Sequence, residues 1–324
     1  MEQKERVTEN GTEAVALNVA TMPCKKKKMN QMERNGLIFS STVLIPVFIT
    51  FLLFWLYVNI QSIAMAFISK DVETGKEIFS FYNFEKLFIE FKNPNSATSE
   101  AFVNTMKYFV LHLIKIFLSV TIAFFLYKKL PGHIFYKVLF YLPAMIPAMV
   151  YIAIFKEIIG VYGPIYTLLY NLFGYEMPAL FASAATATPT ILFYVLWSGF
   201  GTSMLIYVGA MNRIPGEVID AANLDGVGLA REFFQIVLPL IWETFGTYFL
   251  LAFTTIFMET GPLLYFVGED PSLHTQTINY WMFLQVMGGE YNYPSAIGLF
   301  FSVLTVPFVI VSRWLISRIE TVTY

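Results

Sequence analysis

Residues Ile214–Pro239 read Ile-Pro-Gly-Glu-Val-Ile-Asp-Ala-Ala-Asn-Leu-Asp-Gly-Val-Gly-Leu-Ala-Arg-Glu-Phe-Phe-Gln-Ile-Val-Leu-Pro. Pro215 suits the first turn of a helix, where its missing N–H is not needed. Val218, Ala221 and Ala222 then share one face at i, i+3, i+4 spacing. Gly226 can take the left-handed conformation that stops the helix. After it, Ala230, Phe233, Phe234 and Val237 repeat as an amphipathic stripe, and Leu238-Pro239 opens an apolar stretch. The pattern predicts two short helices meeting at a sharp turn. The paired alanines let another backbone come close, and Glu217, Asp220 and Asp225 offer carboxylates to a basic partner. A generic helix–turn–helix would also use Ile-Pro, Ala-Ala and Asp-Gly, since each pair is common. Their joint spacing makes the stretch specific.

On either side the chain is strongly apolar. Of 324 residues, 56% are hydrophobic and only 14% charged, with a mean hydropathy of +0.60. Soluble domains carry about 25% charged residues, so the composition points to a multi-spanning membrane protein. A net charge of -2 gives no sign of a nucleic-acid partner. One cysteine, Cys24, excludes an internal disulfide or a CxxC metal site. A bilayer core of about 30 Å takes roughly 20 apolar residues per helix. Six stretches qualify: Leu37–Ile60, Phe102–Tyr127, Ile134–Phe155, Ala187–Met211, Leu240–Val267 and Ala296–Ile316. The expected fold is all-α with six transmembrane helices, a polar basic tail over 1–36 and a six-helix transmembrane domain over 37–324. No signal peptide is expected ahead of the first span.

Lys25–Lys28, Lys128, Lys129, Lys137, Arg213, Arg231, Arg313 and Arg318 crowd one set of connections, whereas Gly160–Ala184 and Gly268–Pro294 have no Lys or Arg. The positive-inside rule places both termini, and the loop 212–239, in the cytoplasm of a multi-pass plasma-membrane protein.

Ionisable residues inside spans are rare and informative. Lys107, His112 and Lys115 fall in the second span, Glu243 and Glu259 in the fifth. Lys115 lies near the middle, where a charge costs about 2.5–3.5 kcal/mol on insertion scales. It should face protein rather than lipid. Lys107 and Glu259 share an estimated depth and would suit a salt bridge, against the competing reading that Lys107 snorkels to the interface. Tyr194, Trp197, Tyr248 and Tyr265 offer aromatic faces, equally expected as packing residues or interfacial anchors. The three histidines are scattered, so neither a catalytic cluster nor a metal site is expected.

The 214–239 stretch resembles the EAA loop of ABC importer membrane subunits, whose pattern is Glu-Ala-Ala, three residues, Gly, nine residues, Ile-x-Leu-Pro. Asp220-Ala221-Ala222, Gly226 and Ile236-Val237-Leu238-Pro239 match it. Trp197–Phe200, Ile206–Met211, Ile214-Pro215, Leu142-Pro143, Asn104-Thr105, Thr275–Tyr280 and Tyr293–Ala296 resemble the carbohydrate-uptake branch, of the first-permease type. Asp220 stands where the family has Glu, one methylene shorter, so its salt bridge to the ATPase would be looser. The resemblance implies a type I importer transmembrane domain. In it Glu217, Asp220, Ala221, Ala222, Asp225, Gly226, Leu238 and Pro239 couple to a separate ATPase dimer. A second permease and an extracellular solute-binding protein complete the machine in the lipid bilayer. The chain lacks a Gly-x-x-x-x-Gly-Lys-[Ser/Thr] loop, so no cofactor is expected on it, and ATP and Mg2+ belong to the partner. Tyr194, Trp197, Tyr248 and Glu259 are the candidate pathway residues for a sugar or oligosaccharide. The alternatives are an ion-gradient-driven secondary transporter, in which Glu259 would carry the ion, and an ABC permease for a non-sugar solute such as glycerol phosphate.

Overall fold

A computed structural model describes residues 31–70, 76–258, 260, 262–268 and 275–318, apart from the side chains of 33, 37 and 184. The chain divides into two units, the first ending at Ile60 and the second beginning at Gln61. In the first unit α1 (Gln31–Thr50) and a π turn (Phe51–Leu56) lead into α2 (Tyr57–Ala66), which ends in the second unit. Nearly all of its described side chains are exposed, including Phe39, Leu44, Phe48 and Phe54. Arg34–Ala66 is long and apolar enough to cross a membrane. A span clothed in exposed apolar side chains suits hydrocarbon, which solvates them as well as a protein core would.

The second unit opens with an antiparallel hairpin, β1 (Ile68–Lys70) and β2 (Glu77–Phe79), and continues with α3 (Tyr82–Lys92). Asn83 donates to the carbonyls of Ala66 and Ile68 at 3.1 and 2.8 Å, fixing α3 against the hairpin. The long helix α4 (Ala97–Tyr127) begins at Ser96, whose hydroxyl accepts from Ser99 N–H, an N-cap that satisfies an otherwise orphaned donor. The fold continues with α5 (His133–Met145), α6 (Ala148–Ile159), α7 (Pro164–Phe173), α8 (Ala184–Gly199) and α9 (Gly201–Met211). Next come α10 (Gly216–Leu224), α11 (Leu229–Glu232), a π turn (Phe233–Val237), α12 (Leu238–Leu240) and α13 (Trp242–Thr254). Finally α14 (Leu263–Val267) and α15 (Ile278–Met287) precede the closing helix α16 (Asn292–Ser317).

Among the described residues five helices are long and apolar enough to cross a membrane, or six if one bent pair counts as a single span. Four agree with the expected spans. The other two are corrected. The stretch expected as one helix over Ile134–Phe155 breaks at Ile146-Pro147, where Ile146 is extended (φ -90, ψ 136). A proline disfavours helical geometry in the residue before it and supplies no N–H of its own. The stretch that qualifies as a span is instead Ala148–Phe173, reaching into the expected 160–184 loop. The helix expected over Leu240–Val267 is replaced by Leu229–Leu240 and Trp242–Thr254, which meet at 78°. Pro239 and the π turn before it both weaken the hydrogen-bond ladder there, the usual cause of a kink. The helix then stops at Thr254. The loop expected over 268–294 also contains a helix, α15, whose Ile278, Tyr280 and Trp281 are buried.

Small residues set the closest approach in this unit. Ser203 on α9 donates to Ser119 on α4 at 2.9 Å. An ideal Cβ on Gly201 would sit 2.4 Å from the carbonyl oxygen of Phe140 on α5. Backbone lies there, so nothing can swing aside. Gly201→Ala is therefore expected to destabilise the protein by about 1–3 kcal/mol through overpacking. The check is thermal unfolding of the detergent-solubilised protein. An unchanged midpoint would show that α5 and α9 are not in this contact.

Candidate functional site

The segment after α9 is built by backbone rules. Pro215 is extended (φ -56, ψ 134) and caps α10. At the other end Gly226 adopts φ +69. Its N–H bonds Asn223 O at 3.1 Å, while Val227 N–H bonds Ala222 O at 3.1 Å. This pair of bonds is the Schellman stop, which satisfies carbonyls the helix leaves open. Ala222 is buried, and Val218 and Ile219 pack on the core formed by α4, α9 and α13. Glu217, Asp220, Ala221 and Asp225 are exposed, and Leu238 and Pro239 are half-buried. Leu224 is 89% exposed, Phe234 65% and Leu229 48%.

The expected stripe on the second helix differs in detail. Phe233 and Val237 are buried, whereas Ala230 and Phe234 are exposed. The π turn at Phe233–Val237 has wider i→i+5 bonding, so the regular 3.6-residue spacing does not carry through it.

Sequence reasoning missed Glu232. It is 1% exposed, and Lys128 Nζ, at the end of α4, lies 2.9 Å from both carboxylate oxygens. A regular helix would put Glu232 on the face opposite the Ala230, Phe233, Phe234 and Val237 stripe, so no local signal marks it as buried. The pair binds the turn after α9 to the end of α4, so we call the 215–240 segment the handle.

A second feature sits along α4. A cavity of about 290 Å3 is lined by His112, Lys115, Ile152, Tyr194, Ser198 and Tyr265, with Ala148, Val195, Gly199 and Pro262. Lys115 crosses closely over Gly199: a Cβ there would lie 3.1 Å from Lys115 Cδ and 3.3 Å from Nζ. The structure thus brings Tyr194 and Tyr265 together with the intramembrane Lys115. Tyr194 also packs on Phe155 and Phe266 at 5.0 Å each. Trp197 packs on Tyr151 and Tyr248 on Tyr207, and neither lines the cavity. Glu259 lies outside the described residues, as does His274. Lys107 Nζ donates to Asn104 Oδ1 at 2.9 Å.

At the opposite end from Lys128, separate sequence motifs meet. Asn104 Nδ2 donates to Gln276 O at 3.2 Å, and Ile278 N–H donates to Thr105 Oγ1 at 2.9 Å. Tyr293 donates to Glu90 at 2.7 Å, and Thr98 bonds the same carboxylate oxygen. Beside them lies a polar cavity of about 670 Å3, lined by Lys70, Glu77, Tyr82, Lys86 and Glu290 among others.

Comparison with known proteins decides the family. The family model described as binding-protein-dependent transport system inner membrane component matches residues 115–321. The chain belongs to this family. The match opens at Lys115, takes in the handle, and runs past α16. The chain is 34% identical to the maltose/maltodextrin transport system permease protein MalF of Shigella flexneri over 138 residues, 41% of this chain and 27% of that one. It thus spans about a quarter of the length of the maltose permeases it matches. With the probable ABC transporter permease protein YesP of Bacillus subtilis it shares 29% identity over 198 residues, 60% of this chain and 62% of that one. A crystal structure of a bacterial alginate ABC transporter in complex with alginate pentasaccharide-bound periplasmic protein contains a chain of the same fold. The TM-score is 0.75 at 20% identity, covering 92% of this chain and 100% of that one. The architecture is the type I importer permease fold.

Removing one partner of a buried ion pair leaves an uncompensated charge and costs about 3–5 kcal/mol. Lys128→Met is expected to show a loss of this size, because Glu232 has no water to fall back on. The double change Lys128→Met with Glu232→Leu should recover most of it. Thermal unfolding of the two variants provides the check, and an equal loss in both would contradict the pairing.

Proposed function

We propose that this chain forms one half of the transmembrane pathway of an ATP-driven importer for a sugar or oligosaccharide. A separate ATPase dimer, holding ATP and Mg2+, grips the handle from the cytoplasm, where both termini also lie. A second permease completes the pathway, and an extracellular solute-binding protein delivers cargo. The permease body runs over 37–324, with 1–36 as a basic tail on the cytoplasmic side of the cell membrane.

One observation carries this reading: the handle is rigid and anchored, yet presents an exposed outer surface. Gly226 fixes the turn, and Lys128–Glu232 fixes its base. Leu224 and Phe234 remain exposed beside Glu217, Asp220 and Asp225. Apolar anchors rimmed by charge are what a partner's groove would engage. The carboxylates suit a basic rim on the ATPase. Movement imposed on the handle passes through the ion pair to α4, which carries Lys115 along the cavity wall. Rigid helices joined by discrete contacts can transmit such a shift. The cargo reading rests on the maltose permeases and the alginate transporter among the relatives, and on tyrosines facing a cavity beside polar groups. The polar cavity at the opposite end would lie under the solute-binding protein.

Two variants of the handle test this. Ala221→Glu adds a bulky charge on an exposed face and should leave the fold intact. Gly226→Pro forces φ near -65° where +69° is needed. Each is expected to cut co-purification of the ATPase by at least about tenfold, a loss of about 1.4 kcal/mol, and to abolish ATP-dependent uptake in proteoliposomes. Full association and uptake in both variants would overturn the assignment.

A further inference from the structure

A cluster of phenylalanines lies at the end of the second unit away from the handle, on β1, β2 and α3. Phe67 stacks on Phe79 at 5.5 Å, meets Phe81 edge-on at 5.4 Å and touches Phe84 at 5.3 Å. Its outer members are uncovered, Phe79 being 74% and Phe81 63% exposed. An apolar patch of this kind marks a surface that something else covers. We infer that lipid covers it: the hairpin and α3 form a foot whose phenylalanine ledge is seated in the bilayer, in the leaflet opposite the handle.

The two flanks of α3 differ in the way such a seat requires. Phe84, Phe88 and Phe91 recur at i, i+4, i+7 on one flank. On the other, Lys86 Nζ lies 4.1 Å over the Tyr293 ring and Glu90 accepts from Tyr293 at 2.7 Å. Tyr82, Asn83 and Lys86 of this second flank line the polar cavity of about 670 Å3. A helix apolar on one flank and charged on the other lies along the membrane surface, its apolar side about 5–10 Å below the headgroup boundary.

α16 supplies an independent measure of depth. Phe88 is exposed and meets Phe300 of α16 edge-on at 5.6 Å. Phe300 heads a stripe of exposed apolar residues, Val303, Val306 and Ile310, that continues down the span. The 26 residues of α16 make it about 39 Å long against a hydrocarbon core of about 30 Å. With the excess shared between its ends, Phe300 lies about 7 Å below the boundary, within the range for a surface helix. A water-borne partner docking on Phe88 would have to reach beneath the headgroups, where lipid already sits. The ledge is thus the continuation of the lipid-facing side of α16. Because Glu90 of the same helix also holds Thr98 and Tyr293, the foot ties the starts of α4 and α16 to the membrane surface.

Spin labels read this depth directly. In a Cys24→Ser background, Phe79→Cys, Phe81→Cys and Phe88→Cys carry a nitroxide on the ledge, and Glu290→Cys carries one on the wall of the polar cavity. Each variant is placed in phosphatidylcholine nanodiscs, as the full-length chain and as the co-purified importer with its other chains free of cysteine. Power saturation compares collisions with oxygen, which concentrates in hydrocarbon, and with a water-soluble nickel chelate. Oxygen collisions should exceed nickel collisions at 79, 81 and 88, and the order should reverse at 290, in both preparations. Nickel collisions in excess at the three ledge positions would place the ledge in water and overturn the seat. Loss of both kinds of collision at the ledge in the importer, or on addition of a solute-binding protein, would assign the surface to a protein partner and overturn it as well.

Discussion

A carboxylate stripped of its water needs a cation, and Glu232 has Lys128 at 2.9 Å. The rest of the arrangement depends on that need. Buried pairs of this kind add little to net stability, because desolvation offsets most of the attraction. Their use here is positional. The handle is short, and the two helices on either side of its turn would otherwise be held only by apolar packing that permits sliding. An ion pair with both oxygens engaged does not slide. It sets the distance between the handle and the end of α4.

α4 is held at its other end too. Asn104 and Thr105 bond the backbone at Gln276 and Ile278, and Thr98 joins Glu90 and Tyr293 nearby. A helix clamped near both ends moves as a rod. Lys115 lies 13 residues from Lys128, or about 20 Å at 1.5 Å per residue. On the proposed reading, a displacement at the handle would reach the cavity wall without passing through a loop. The 78° bend at Ile241 works with this, since it lets the handle turn away from the direction of α13 while staying continuous with it.

How much of this is legible in the sequence follows from the range of each interaction. The handle is readable because Pro215 and Gly226 act on their own backbone, and the Schellman stop needs no distant partner. Four spans are readable because hydropathy counts residues against a known thickness. The other two fail where direction changes inside an apolar run, at Pro147 and at Ile241: hydropathy measures length and is blind to bends. α7 and α15 are hidden for a related reason. Each lies in a stretch free of Lys and Arg that reads as a connection, although both are helical. Lys128–Glu232 spans 104 positions, and no local pattern announces it. Tyr194, Trp197 and Tyr248 are equivalent by residue type. Only the packing of α8 puts Tyr194 on the cavity wall, while Trp197, tilted against Tyr151, does not line it.

The central claim is that the handle meets a nucleotide-driven partner inside the cell. A cysteine reporter at Leu224, the most exposed apolar position on the handle, addresses it directly, with Cys24→Ser as background. The account predicts that Leu224→Cys forms a cross-link to the ATPase in native membranes, with a yield that changes when nucleotide is added. It also predicts protection from membrane-impermeant thiol reagents applied to intact cells. Labelling from outside, with no cross-linked ATPase, would contradict it.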